Sequence, residues 1–211
     1  MLVNEQMTLR AYAKINLALA VGPPEPPRGY HPIASWFTCI GLHDELRLER
    51  VEDRERAWTI AWAADAPRRS AIDWPIEKDL TVRAHRLLEQ AAGRALRVRG
   101  TLSKRTPVGA GLGGGSADAA AAFVGINELF GLGFSRDALR GLSASLGSDI
   151  AFFIDDEEGT GAARPAMVTG FGERIERLLR APGWVALVFP PFGCATGPVY
   201  RAFDSEGAVS Y

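Results

Sequence analysis

At 211 residues the chain is long enough for one large domain or two small ones with a real core. Apolar residues make up 47% and charged residues 23%, the balance of a globular chain, and a formal net charge of −1 supplies no global basic field for nucleic acid or an anionic membrane. Cys39 and Cys194 lie far apart and outside any CxxC or Cys/His cluster, which argues against a disulfide framework or a cysteine-built metal site and fits a reducing compartment.

The N-terminus, MLVNEQMTLR, lacks a basic stretch leading into an apolar run. No apolar run reaches the roughly 20 residues that span a bilayer. The expected location is the cytoplasm. Leu9 to Val21 alternates partly, interrupted by Lys14 and Asn16, and predicts a strand or strand pair with those two side chains on one face. Gly22 to Gly29 is a proline-rich loop that cannot continue a ladder. Ile33 to Ile40 predicts a strand. Leu46 and Leu48, then Trp58, Ile60 and Trp62, keep a period of two and predict a hairpin. Arginines between positions 47 and 56 and between 97 and 105 read as solvated strand faces.

Asp79 is placed to cap a helix whose apolar stripe is Leu80, Ala84, Leu87, Leu88 and Ala91, with Gly93 as its stop. Leu96, Val98 and Leu102 alternate as a strand. An alanine-rich helix is predicted from about Ser116 to Phe130. Ser135 caps another helix, with Leu139, Leu142 and Leu146 inward and Gly147 after it. Beyond Asp155 the acidic, glycine-containing stretch to Gly161 reads as a turn or linker. Met167–Phe171, Arg174–Leu178 and Trp184–Phe189 are expected as strands of a second α+β unit that begins near residue 160. The expected division is 1–160 and 161–211, and the fold class α+β.

Between the strand and the alanine-rich helix lies Pro107-Val-Gly-Ala-Gly-Leu-Gly-Gly-Gly-Ser116, with five glycines. Glycines let backbone N–H groups converge on an anion, and the helix start adds unpaired N–H groups and the positive end of its dipole. Ser116 can cap that helix or offer its hydroxyl to a phosphate or to Mg²⁺. A Walker A loop needs Lys-Ser or Lys-Thr after the last glycine, and Gly115 stands where that lysine belongs. Gly109 to Gly114 satisfies GxGxxG, but no second strand ending in an acidic residue follows it; Gly131 to Asp137 leads into another capped helix. A phosphate-binding loop is the reading that accounts for the glycine density.

Ala13-Lys-Ile-Asn-Leu17, Gly29-Tyr-His31, Pro107 to Ala120 and Gly147-Ser-Asp-Ile-Ala-Phe-Phe153, in this order, resemble the GHMP kinase superfamily, and the likeness covers most of residues 9–203. Within it, AKINL together with GYH points to the branch that phosphorylates a cytidine diphosphate conjugate in non-mevalonate isoprenoid synthesis. The resemblance implies a two-domain kinase, with an N-terminal domain like the second domain of ribosomal protein S5 and a C-terminal α+β domain that is incomplete here. It implies ATP, with Mg²⁺ accompanying the nucleotide, and a small-molecule acceptor. Lys14 and Asp149 match the catalytic pair. Leu80, Lys104, Pro107, Gly109, Gly111, Leu112, Gly113, Gly114, Gly115 and Ser116 match the nucleotide site. Asn16, Tyr30, His31, Phe192 and Thr196 match the acceptor site, with Tyr30 and Phe192 stacking on a pyrimidine and His31 bonding to its edge.

Two departures stand out. Ala117 occupies the place of a second serine, and Asp79 that of an asparagine. The family continues past residue 211 with another glycine-rich segment, so the expectation is an incomplete chain. Other outcomes left open are a different GHMP-type small-molecule kinase and a shortened relative that only binds nucleotide. Neither nucleic acid nor membrane is expected as a partner, and oligomeric state is open.

Overall fold

The computed structural model of the chain describes residues 6–27, 29–52, 57–155, 161–190 and 196–205. Two long strands, β1 (Gln6–Val21) and β2 (Ile33–Arg50), pair antiparallel along almost their whole length. The proline-rich loop joins them, closed by a bridge between Glu25 and Tyr30. β2 is ten residues longer than the stretch that its apolar pattern marks, because Leu46 and Leu48 continue it.

The predicted hairpin between Leu46–Leu48 and Trp58–Trp62 does not form. β3 (Trp58–Trp62) pairs in parallel with β4 (Val98–Lys104), and β4 lies between it and β2. Leu46 stands opposite Leu102, and Leu48 opposite Gly100. Gly100 is required there: a Cβ would lie 2.4 Å from the Trp58 ring. Period-two patterning identifies strands but not their partners, and a crossover helix brings β4 in between.

That helix is α1 (Leu80–Ala92), preceded by a single 3₁₀ turn, Ile76–Lys78. Asp79 caps it by accepting from Thr81 N–H at 2.9 Å, and Gly93 ends it at φ 63°. Its buried face holds Val82, Ala84, His85 and Leu88. Ala91 is exposed. α2 (Gly114–Leu129) begins two residues before Ser116; its N-cap is Gly113, so Ser116 sits inside the first turn and does not cap it. The alanines and Gly125 let α2 lie close on the sheet: a Cβ at Gly125 would meet Leu48 and Leu9 at 2.6–2.7 Å. α3 (Arg136–Ser143) is capped by Ser135, and α4 (Ile150–Phe153) is one turn. Leu46, Leu48, Leu88, Leu102, Phe123, Ile126 and Leu139 form the main core.

β5 (Ala166–Gly170) and β6 (Arg174–Arg177) form as strands, but they extend the same sheet: β5 pairs with Ile33–Phe37 of β2. Trp184–Phe189 is not a strand. Residues 178–190 have no regular structure, and Leu179, Trp184 and Val188 are exposed, with no ladder partner among the described residues. α5 (Thr196–Ser205) follows. The fold is α+β, with one mixed sheet.

Candidate active site

A register irregularity in the β1–β2 ladder falls between Tyr12 and Lys14. It frees the Lys14 N–H, which donates to the Leu112 carbonyl at 2.8 Å and ties β1 to the glycine loop. Lys14 is buried, yet its ammonium is well partnered. Nζ donates to Asn16 Oδ1 at 2.8 Å, lies 3.5 Å from Asp149 Oδ2, and sits 4.3 Å over the Phe37 ring. Asn16 in turn donates to Ser35 Oγ at 2.7 Å, and Ser35, wholly buried, donates to the Ala18 carbonyl at 2.6 Å. This relay holds the lysine in one rotamer.

Asp149 precedes α4 but makes no capping bond to it. Its carboxylate is about a third exposed and open to a reactant, with the lysine behind it. The β5–β6 turn supports this corner: at Gly172, φ 105°, a Cβ would lie 2.9 Å from Ser148 Cβ. Cys39 stands opposite Lys14 in the ladder, and burial pushes its thiol up to about 12, which rules it out as a nucleophile at neutral pH.

The loop reaches the same corner. A Cβ at Gly113, φ 68°, would come within 3.0 Å of Lys14 Cγ and Phe153 Cζ. Gly109 and Gly111 also have positive φ, 72° and 73°, with nothing within 4 Å of a Cβ. No neighbouring atom fills the space beside these two residues, and positive φ is a conformation suited to glycine. Gly114, Gly115 and Ser116 form the first turn of α2, whose N-cap makes no side-chain bond, so their N–H groups are left for a phosphate. Leu80, at the start of α1, approaches this turn: its Cδ1 lies 3.5 Å from a Cβ at Gly115. Pro107 is buried at the loop's base.

Lys104 does not reach the surface. Its ammonium is buried between Asp44 Oδ2 at 2.6 Å and Asp118 Oδ2 at 2.5 Å. This triad escaped the sequence reading. The signal was available: Asp44 shares the inward register of Leu46 and Leu48, and Lys104 that of Val98 and Leu102. Among the described residues no group of three His, Cys, Asp or Glu is placed to hold a metal ion.

Tyr30 and His31 stand at the start of β2, beyond Asn16 and Ser35. Tyr30 is 60% exposed. His31 Nδ1 lies 2.8 Å from the Gly22 carbonyl, which only accepts, so Nδ1 carries a proton. The ring packs 4.9 Å from Tyr200 of α5, with Asp204 at 3.4 Å from Nε2. Tyr200 and Asp204 were missed by sequence reading. Phe192 lies outside the described residues, as does the side chain of Thr196.

The chain matches the family described as GHMP kinases N terminal domain over residues 79–156, which runs from the Asp79 cap through the loop to Asp149. It is 39% identical over 204 residues to a 4-diphosphocytidyl-2-C-methyl-D-erythritol kinase of Symbiobacterium thermophilum, covering 96% of this chain and 66% of that one. It is 42% identical over 198 residues to the kinase of the same name from Pelotomaculum thermopropionicum, covering 93% and 63%. The crystal structure of a 4-(cytidine 5'-diphospho)-2C-methyl-D-erythritol kinase superposes with a TM-score of 0.68 at 32% identity, over 95% of this chain and 65% of that one. The chain thus spans just under two thirds of the length of these relatives. Over that span the chain belongs to the GHMP kinase superfamily.

Proposed function

We propose that this chain forms the nucleotide-binding part of a kinase that transfers the γ-phosphoryl of ATP to the 2-hydroxyl of 4-diphosphocytidyl-2-C-methyl-D-erythritol, in the cytoplasm. The observation that carries this reading is the meeting of the Lys14–Asp149 pair with Gly113. A carboxylate beside a phosphate cradle accepts the proton of the attacking hydroxyl, and an ammonium behind it steadies the carboxylate and offsets charge on the moving phosphoryl. The bare N–H groups of Gly109 to Ser116 suit the nucleotide's phosphates. Mg²⁺ enters as the nucleotide's own counterion, with the Ser116 hydroxyl as the side chain on the loop able to face it. Asn16 suits the acceptor's hydroxyls.

Tyr30 and His31 favour a cytidine conjugate over another alcohol. His31 is held at Nδ1 by the Gly22 carbonyl and flanked at Nε2 by the Asp204 carboxylate, an acceptor-rich edge that suits the amino donor of cytosine better than the carbonyl of uracil. The test is calorimetry with the cytidine conjugate and its uridine analogue, on a chain extended to the length of its relatives. The cytidine form is expected to bind at least tenfold tighter. Equal binding, or phosphorylation of a simple sugar or amino-acid alcohol instead, would overturn the cytidine assignment and leave a general GHMP kinase.

A further inference from the structure

The phosphate loop has a problem of order. Residues 107–113 are glycine-rich, and the crest at Gly109 and Gly111 packs against nothing within 4 Å of a Cβ. Fixing such backbone carries an entropy cost at every residue, largest for glycine. Packing at the crest cannot offset that, so the order comes from Leu112, buried and bonded to Lys14 N–H, and from the two ends.

Both ends converge on the buried triad. The β2–β4 ladder stops at Glu45 opposite Ser103. Just past it Asp44 takes over with its side chain: Oδ1 accepts from the N–H groups of Arg105 and of Thr106, the latter at 2.7 Å. Those are the last residues before the loop. Its other oxygen receives Lys104 Nζ, which also donates to Asp118 on the helix that the loop enters. The two stems touch where the loop closes, since a Cβ at Gly114 would lie 2.7 Å from the Thr106 methyl and 3.6 Å from Asp44 Oδ2. Asp44, Lys104 and Asp118 are 0%, 4% and 2% exposed.

We infer that Asp44 and Lys104 are positioning residues of the phosphate loop, clasping the strand before it to the helix after it so that its N–H groups point outward before any ligand arrives. This rests on the loop's reading as a phosphate site. Two carboxylates and one ammonium would leave a buried excess of negative charge. Burial, ahead of the neighbouring charges, pushes the Asp118 carboxyl well above the usual range, and Asp118 Oδ1 has no hydrogen-bond partner among the described residues.

The test compares ATP with adenosine, which lacks phosphates, on the wild-type chain and on Asp44→Asn. The expected result is a loss of at least tenfold in ATP affinity with adenosine affinity within twofold, and faster amide exchange confined to residues 107–115. Equal losses for both ligands, or unchanged ATP binding in a folded variant, would overturn the clasp. If Asp44→Asn does not fold, the uncharged pair Lys104→Gln with Asp118→Asn, which keeps hydrogen-bonding groups in place, carries the same expectation and the same overturning outcomes. A wild-type chain that binds neither ligand would instead overturn the phosphate reading itself, a result distinct from either.

Discussion

Two side chains decide the proposed chemistry. Asp149 is free of the capping bond that would have explained it structurally, and the Lys14 ammonium lies 3.5 Å from it. Asp149→Asn keeps the shape and removes the charge. In a chain extended to its relatives' length it is expected to slow phosphoryl transfer by about 10²-fold or more, the scale of general base catalysis, with ATP affinity nearly unchanged. Near-normal turnover would show that Asp149 accepts no proton. Gly113 tests the loop from the other side. At φ 68° a β-branched residue is strained, and its Cβ would press on Lys14 and Phe153 at 3.0 Å. Gly113→Val is therefore expected to lower ATP affinity at least tenfold while the chain stays folded by circular dichroism. A folded variant with wild-type affinity by calorimetry would overturn the loop's assignment. Both residues could be picked from the sequence because each sits in a recognisable string. Asp44 and Ser35 sit in no such string: the register of Asp44 marks it as inward, but the roles of both depend on partners on other strands.

Among elements, helices were more legible than strand pairings. α1 announces itself by a cap, a stripe and a glycine stop, all within reach of a local pattern. Asp79 serves this helix twice, accepting from Thr81 N–H and, through Oδ2, from Trp74 Nε1 at 3.1 Å. Removing both contacts with Asp79→Ala is expected to cost about 1 kcal/mol, within the usual range for lost N-caps, whereas Asp79→Asn caps equally well and should stay near wild type. Urea unfolding midpoints for the three proteins check this. Equal midpoints for Asp79→Ala and wild type would mean that the cap adds nothing to global stability. β3 shows the opposite case. Its alternation is plain, but its parallel partner lies some forty residues on, and Gly100, which makes room for Trp58, looks from sequence alone like a weak point in β4. Trp184–Phe189 shows that apolar character by itself does not make a strand.

At the scale of the molecule, the sheet is organised by β2. One of its edges carries β1 from end to end; the other is shared, with β4 on Glu45–Arg50 and β5 on Ile33–Phe37. The stretch between those two partners runs from Thr38 to Asp44. Asp44 turns its carboxylate to the loop stem there, and the Lys14 corner lies across the ladder from it at Cys39. The sequence shows the strands that make this arrangement, but not the sharing, because sharing an edge is a property of three segments at once.

The shared edge also sets a timetable. A ribosome adding about 5–20 residues per second delivers β1 and β2 first. Ile33, however, cannot meet Gly170 until the intervening helices have been made, roughly ten seconds later at such speeds. During that interval the Ile33–Phe37 half of β2, including Trp36 and Phe37, is an open apolar edge, the kind of surface that recruits strands from other chains. This earlier segment, rather than the glycine loop, is the edge of β2 left waiting until β5 emerges.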